Sequence, residues 1–131
     1  MKESEKINIL IVDDRPENLL ALGEVLCDSE LNVMKAESGN ETLALTLEHD
    51  FALIILDVQM PDMDGFEVAE LLRGKKETKN IPIIFATAIS KEQKYIFKGY
   101  DSGAVDYLFK PIDPEIIVSK VRVFVELYRQ R

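Results

Sequence analysis

Cysteine and histidine are nearly missing from this chain, tryptophan is missing altogether, and basic residues are in the minority. Among 131 residues there is one cysteine, Cys27, and one histidine, His49. A single cysteine cannot close an internal disulfide, so stability has to come from a core, and such scarcity suits a reducing compartment. Without clustered histidine and cysteine, the nitrogen and sulfur ligand sets favoured by zinc and copper cannot be assembled. Six glycines and five prolines are too few for a low-complexity tract or an internal linker. No apolar run approaches the roughly 20 residues of a membrane span. The opening Met1-Lys2-Glu3-Ser4-Glu5-Lys6 is charged and carries no secretory pattern, so the cytoplasm is the expected location. Sixteen Lys and Arg against 24 Asp and Glu leave a net charge of -8. That balance argues against nucleic acid as a direct ligand and against an anionic membrane surface.

What is present is apolar and ordered. Hydrophobic residues make up 47% of a length suited to one domain, which is enough for a sizeable core. Ile7-Asn8-Ile9-Leu10-Ile11-Val12, the run Phe-Ala-Leu-Ile-Ile-Leu at 51–56 and the run at 81–86 are short, β-branched and almost continuously apolar. Such runs suit strands covered on both faces, as in a parallel sheet. The shorter, more mixed segments 32–36 and 106–109 read as outer strands.

Helical patterns lie between them. Residues 16–28 open on Pro16 and carry Leu19, Leu20, Leu22, Val25 and Leu26, with Cys27 expected as a small core side chain. Residues 40–48 place Leu43, Ala44 and Leu47 on one face, and residues 66–73 place Val68, Ala69 and Leu72 inward before Gly74. Ser90-Lys91-Glu92-Gln93 is a capping-box pattern for a fourth helix reaching toward Gly103, and Asp113-Pro114 opens a last one. Five β-α units with short connections imply right-handed crossovers and helices on both faces. The expected fold is therefore α/β: a doubly wound five-stranded parallel sheet in the flavodoxin-like order 2-1-3-4-5.

In such sheets ligands sit beyond the carboxyl ends of the strands. Asp13 and Asp14 follow the first strand, Asp57 the third, Thr87 and Ala88 the fourth, and Lys110 with Pro111 the fifth. Each residue alone has a plain reading: a turn or N-cap aspartate, a β-forming threonine, a solvated lysine. Together they are three carboxylates, a hydroxyl and an ammonium on one sheet edge. Carboxylates held together repel and call for a cation; oxygen-only donors suit a hard ion such as Mg²⁺. A carboxylate beside Mg²⁺ and an ammonium is equipped to attack phosphorus, and Thr87 and Lys110 could then meet the phosphoryl oxygens.

Ile9-Leu10-Ile11-Val12-Asp13-Asp14, Leu56-Asp57-Val58-Gln59-Met60-Pro61-Asp62-Met63-Asp64-Gly65, Ala86-Thr87-Ala88 and Lys110-Pro111 resemble, in order, the signature blocks of two-component response-regulator receiver domains. Each block is weak alone; the ordered set is highly specific and covers about 7–127 of a single 1–131 domain. The resemblance implies Asp57 as phosphoacceptor. It implies Mg²⁺ held by the side chains of Asp14 and Asp57, by the backbone carbonyl of Gln59, and through water by Asp13. Thr87 and Lys110 would contact the phosphoryl group, Tyr107 would follow Thr87 inward as a switch, and the Lys110-Pro111 bond would be cis. The donor would be a histidine kinase or a histidine phosphotransfer domain, since His49, in the turn before the third strand, reads as a surface residue. Gln59 and Ile89 occupy the family's variable positions flanking the phosphoryl group, which sets an expectation of moderately slow self-dephosphorylation. The run Asp14-Arg15-Pro16-Glu17-Asn18-Leu19 resembles receivers attached to hybrid kinases.

Three other readings fit less of the chain. A haloacid-dehalogenase-type phosphatase wants an acid two residues after its nucleophile, where Gln59 stands. A flavodoxin-like cofactor binder wants a hydroxyl- or glycine-rich phosphate loop after the first strand, where Asp13-Asp14 stands. A pseudo-receiver would lack one of the acids or the lysine, and none is lost. The last helix carries Ile117, Val121, Phe124 and Tyr128 on one stripe and Ile116, Val123 and Leu127 on a second. The two could form one wide core-facing stripe, or the second could be a partner surface; a homodimer through this helix and the face of 90–103 is then expected. No glycine or proline ends the helix, which suggests continuation into a linked output or kinase module.

Overall fold

A computed structural model describes residues 5–88 and 106–131 of the chain. The strands are β1 (Ile7–Val12), β2 (Leu31–Ala36), β3 (Leu53–Asp57), β4 (Ile83–Thr87) and β5 (Asp106–Phe109). Among the described residues the helices are α1 (Pro16–Val25), α2 (Gly39–Glu48), α3 (Gly65–Arg73) and α4 (Pro114–Arg129). All strand pairings are parallel, and the order is β2-β1-β3-β4-β5, the order expected from the sequence. The expected fourth helix at 90–103, and Ile89, lie outside the described residues.

Alternation along the strands sorts the side chains into two cores. Leu10, Val12, Ile54, Leu56, Ile83 and Phe85 point to one face, where Phe66, Val68, Ala69 and Leu72 of α3 cover them. Ile9, Ile11, Leu53, Ile55, Ile84 and Ala86 point to the other, beneath α1 and α4. Every residue of β3 and β4 is buried, as continuous apolar runs covered on both faces must be. β3 and β4 both begin and end later than the apolar runs do, so Asp57 and Thr87 are the terminal residues of their strands.

Two helical expectations need correction. α1 ends at Val25; Leu26 takes the last buried position, and Cys27 is exposed rather than in the core. On α2 the buried residues are Gly39, Thr42 and Thr46, while Leu43 is only partly buried and Ala44 and Leu47 face solvent. The threonines tolerate burial because their hydroxyls donate back to the carbonyls of Ser38 and Leu43, each at 2.9 Å. Gly39 fixes the rotation: a Cβ there would lie 2.8 Å from Met63 Sδ and 2.9 Å from a Val68 methyl, so this face must stay against α3. On α4, Ile117, Val121 and Val125 are buried, with Phe124 and Tyr128 partly so. Ile116, Val123 and Leu127 are 49%, 56% and 57% exposed, so the second stripe is separate from the core-facing one.

Candidate functional site

The register of the sheet gathers the site. Val12 lies beside Leu56 and Asp57 beside Ala86, so the ends of β1, β3 and β4 lie side by side. Thr87 pairs with Phe109, and the Lys110 N–H donates to the Thr87 carbonyl at 2.8 Å, so Lys110 enters directly from the end of β5. The bond that follows, Lys110-Pro111, is cis.

Asp13, Asp14 and Asp57 each bring one carboxylate oxygen to within 4.8 Å of the others. Asp13, Asp57 and Thr87 are buried, and Asp14 is partly exposed. The Lys110 ammonium lies 2.9 Å from Asp13 Oδ2 and 3.4 Å from Asp57 Oδ1. Asp13 is fixed from its own helix entry as well: the Arg15 N–H donates to Oδ1 at 2.9 Å and the Asn18 side-chain amide to Oδ2 at 3.1 Å.

The loop after Asp57 is equally constrained. Gly65 opens α3 against the end of β3, and its N–H donates to the Val58 carbonyl at 2.9 Å. A Cβ on Gly65 would lie 2.4 Å from the Asp57 carbonyl oxygen, so no other residue fits without displacing that backbone. Asp64 caps α3 in a reciprocal box with Glu67, and Asp62 takes the left-handed conformation at φ 71° that the turn requires.

Burial pushes the Asp57 carboxyl up to about 6; Lys110 pulls it down, and Asp13 and Asp14 push it up again. Burial alone would lower Lys110, but its contacts with Asp13 and Asp57 outweigh this and raise it. The ammonium therefore stays charged between two carboxylates, and among the described residues the third, Asp14, has no ion-pair partner.

A protein-family model for the response regulator receiver domain matches residues 9–122. This chain belongs to the response regulator receiver domain family. Among curated relatives, a Vibrio cholerae protein named "Probable cyclic di-GMP phosphodiesterase" is 32% identical over all of this chain and 29% of its own length. The transcriptional regulatory protein SrrA of Staphylococcus aureus is 38% identical over 89% of this chain and 47% of its own length. The receiver chain thus spans less than half of either relative. Among solved structures, the chemotaxis response regulator CheY4 of Vibrio cholerae superposes with a TM-score of 0.84 at 30% identity, over 91% of this chain and 98% of that one.

The receiver fold brings together Asp13, Asp14, Asp57 and Lys110 as the strand ends foretold. Thr87 ends the neighbouring strand, buried, and Gln59 is exposed two residues beyond Asp57. Tyr107 is buried against Phe85, with ring centroids 5.6 Å apart, and stacks on Phe109 at 5.8 Å. His49 is exposed. Sequence reasoning missed Asn18 as a partner of Asp13. The signal was an amide on the first turn of the helix entered from Asp13-Asp14. It also missed that Gly65 has to be glycine because Asp57 lies against it.

Proposed function

We propose that this receiver domain takes a phosphoryl group onto Asp57, with Mg²⁺ held at the adjoining acidic cluster. The observation that carries the reading is the placement of Asp57: buried at a central strand end, one oxygen within 4.8 Å of Asp13 and Asp14 oxygens and another contact, Lys110, at 3.4 Å. The donor set is all oxygen, crowded and under-neutralised, which fits a hard divalent cation. Asp14 and Asp57 would bind it directly, Asp13 through water and Gln59 through its backbone carbonyl. When bound, Mg²⁺ supplies charge neutralisation for the acceptor and the phosphoryl oxygens.

A lone pair on an Asp57 carboxylate oxygen forms the new P–O bond as the donor's P–N bond breaks, and that electron pair leaves on the donor imidazole nitrogen. Lys110 balances charge developing on the phosphoryl oxygens, and the Thr87 hydroxyl donates to one of them. The donor is a histidine kinase or histidine phosphotransfer domain. Readout runs through Thr87 and Tyr107: when the hydroxyl is drawn to the phosphoryl group, the ring follows it, and β5 and the last helix shift. The modified domain pairs with a second copy through the exposed stripe of the last helix, and in the cell it works in the cytoplasm beside a covalently linked output or kinase module.

The test is intact mass after incubation with acetyl phosphate, with and without Mg²⁺, on wild type and Asp57→Asn. One Mg²⁺-dependent phosphoryl adduct, absent from the variant, is the expected result. An adduct that survives the substitution, or none when Mg²⁺ binding is verified, would overturn the assignment.

A further inference from the structure

Lys110 faces a conflict that the proposed phosphorylation chemistry has to resolve, and the following rests on that reading. Its ammonium lies closer to Asp13 Oδ2, at 2.9 Å, than to Asp57 Oδ1, at 3.4 Å. To balance charge on a phosphoryl group carried by Asp57, it must give up Asp13. The Asp13 side chain is only 10% exposed, so beyond the one metal-borne water proposed for it, solvent has little access to replace a lost partner. A buried carboxylate oxygen stripped of its donor carries a desolvation penalty, which would hold the lysine where it is.

We infer that Asn18 is a positioning residue that keeps Asp13 satisfied and so frees Lys110 to move to the phosphoryl group. The Asn18 amide donates to Oδ2 at 3.1 Å, the same oxygen that Lys110 occupies, while the Arg15 N–H holds Oδ1 at 2.9 Å. With both donors in place, each Asp13 oxygen keeps a hydrogen bond after the ammonium departs. Asn18 is well fixed for this task. It lies in the first turn of α1, which Pro16 opens, and its own N–H donates to the Arg15 carbonyl at 3.0 Å. It also lines one cavity with Asp13 and Lys110, so the three share a local environment. Being neutral, the amide satisfies Asp13 without cancelling the charge that attracts a cation, which a lysine or arginine there would do.

Beryllofluoride, a phosphoryl mimic, tests this without turnover. Its affinity in Mg²⁺ is read by fluorine NMR on the full chain, Mg²⁺ affinity by calorimetry, and folding by thermal unfolding. Asn18→Ala is expected to weaken beryllofluoride by about tenfold, the worth of one hydrogen bond to a charged group, with Mg²⁺ affinity unchanged. In a Lys110→Ala background the same substitution should add nothing, because Asn18 acts through Lys110. Asn18→Asp, of the same size but offering an acceptor in place of the donor, should lose at least as much as Asn18→Ala. Equal losses in both backgrounds, or a parallel loss of Mg²⁺ affinity, would overturn the inference and leave Asn18 as a shaper of the acidic pocket. Variants that bind like wild type would overturn it too. A wild type that binds no beryllofluoride in Mg²⁺ would instead remove the phosphoacceptor reading, and this inference with it.

Discussion

Asp57 ends a strand buried on both faces, and burial is the main reason that its carboxyl is pushed from 3.8 up to about 6. Lys110 opposes the shift; Asp13 and Asp14 add to it. The folded chain therefore holds this proton more tightly than the unfolded chain does. The stabilisation this gives is complete below 3.8 and is lost as pH rises through about 6. In metal-free buffer, ionised Asp57 should cost the fold on the order of 3 kcal/mol at neutral pH. Asp57→Asn removes that cost. Urea unfolding without divalent ions should find the variant more stable than wild type near neutral pH and similar to it in acid, with added Mg²⁺ narrowing the neutral gap. Equal stabilities at neutral pH would mean that Lys110 already neutralises the site. The identity of this acid was legible in the sequence, because an aspartate after a continuous apolar run has to emerge at a sheet edge. Its neighbour Asn18 was not, because an amide in a helix's first turn looks the same whether it faces solvent or reaches back to Asp13.

At the next scale, α3 is held to β3 by the absence of a side chain. A Cβ on Gly65 would approach the Asp57 carbonyl oxygen to 2.4 Å and Val58 Cα to 3.0 Å, both backbone atoms that cannot rotate away. Gly65→Ala should therefore destabilise the domain by about 1–3 kcal/mol, as overpacking does, and slow adduct formation because the displaced backbone carries Asp57. Gly74→Ala is the control. There a Cβ meets nothing nearer than 3.6 Å, and the backbone is right-handed with φ -80°, so stability should stay the same or rise by about 0.5 kcal/mol. Urea melts of the two variants check both statements, and a Gly65→Ala protein as stable as wild type would mean that the loop at 58–64 yields easily. Elements as such were well legible: the parallel, doubly wound sheet followed from the β-α alternation, and β1 and β5 lie where their apolar patterns put them. The face of α2 was not, because hydrophobic periodicity counts threonine as polar. Thr42 and Thr46 spend their hydroxyls on their own helix and go inside, leaving Leu47 outside.

For the whole molecule, the question is how a change at the acidic edge reaches a distant surface. Lys110 directly follows β5 and shortly precedes Asp113, whose side chain caps α4 by accepting from the Glu115 N–H at 2.9 Å. Farther along, Lys120 of α4 pairs with Asp106 at the start of β5. Strand and helix are thus tied at both ends of the strand, so a pull on Lys110 is expected to move them as one unit. The outer face of that unit carries Ile116, Val123 and Leu127, each about half exposed, on a chain whose net charge of -8 otherwise disfavours self-association. Loading with beryllofluoride and Mg²⁺ is therefore expected to raise the mass measured by chromatography with light scattering from monomer toward dimer. Val123→Glu combined with Leu127→Glu should hold the loaded domain as a monomer while leaving the phosphoryl adduct intact, since both side chains point away from the core and from Asp57. A wild type that stays monomeric when loaded would count against pairing through this face. A double variant that still dimerises would move the contact elsewhere on the molecule.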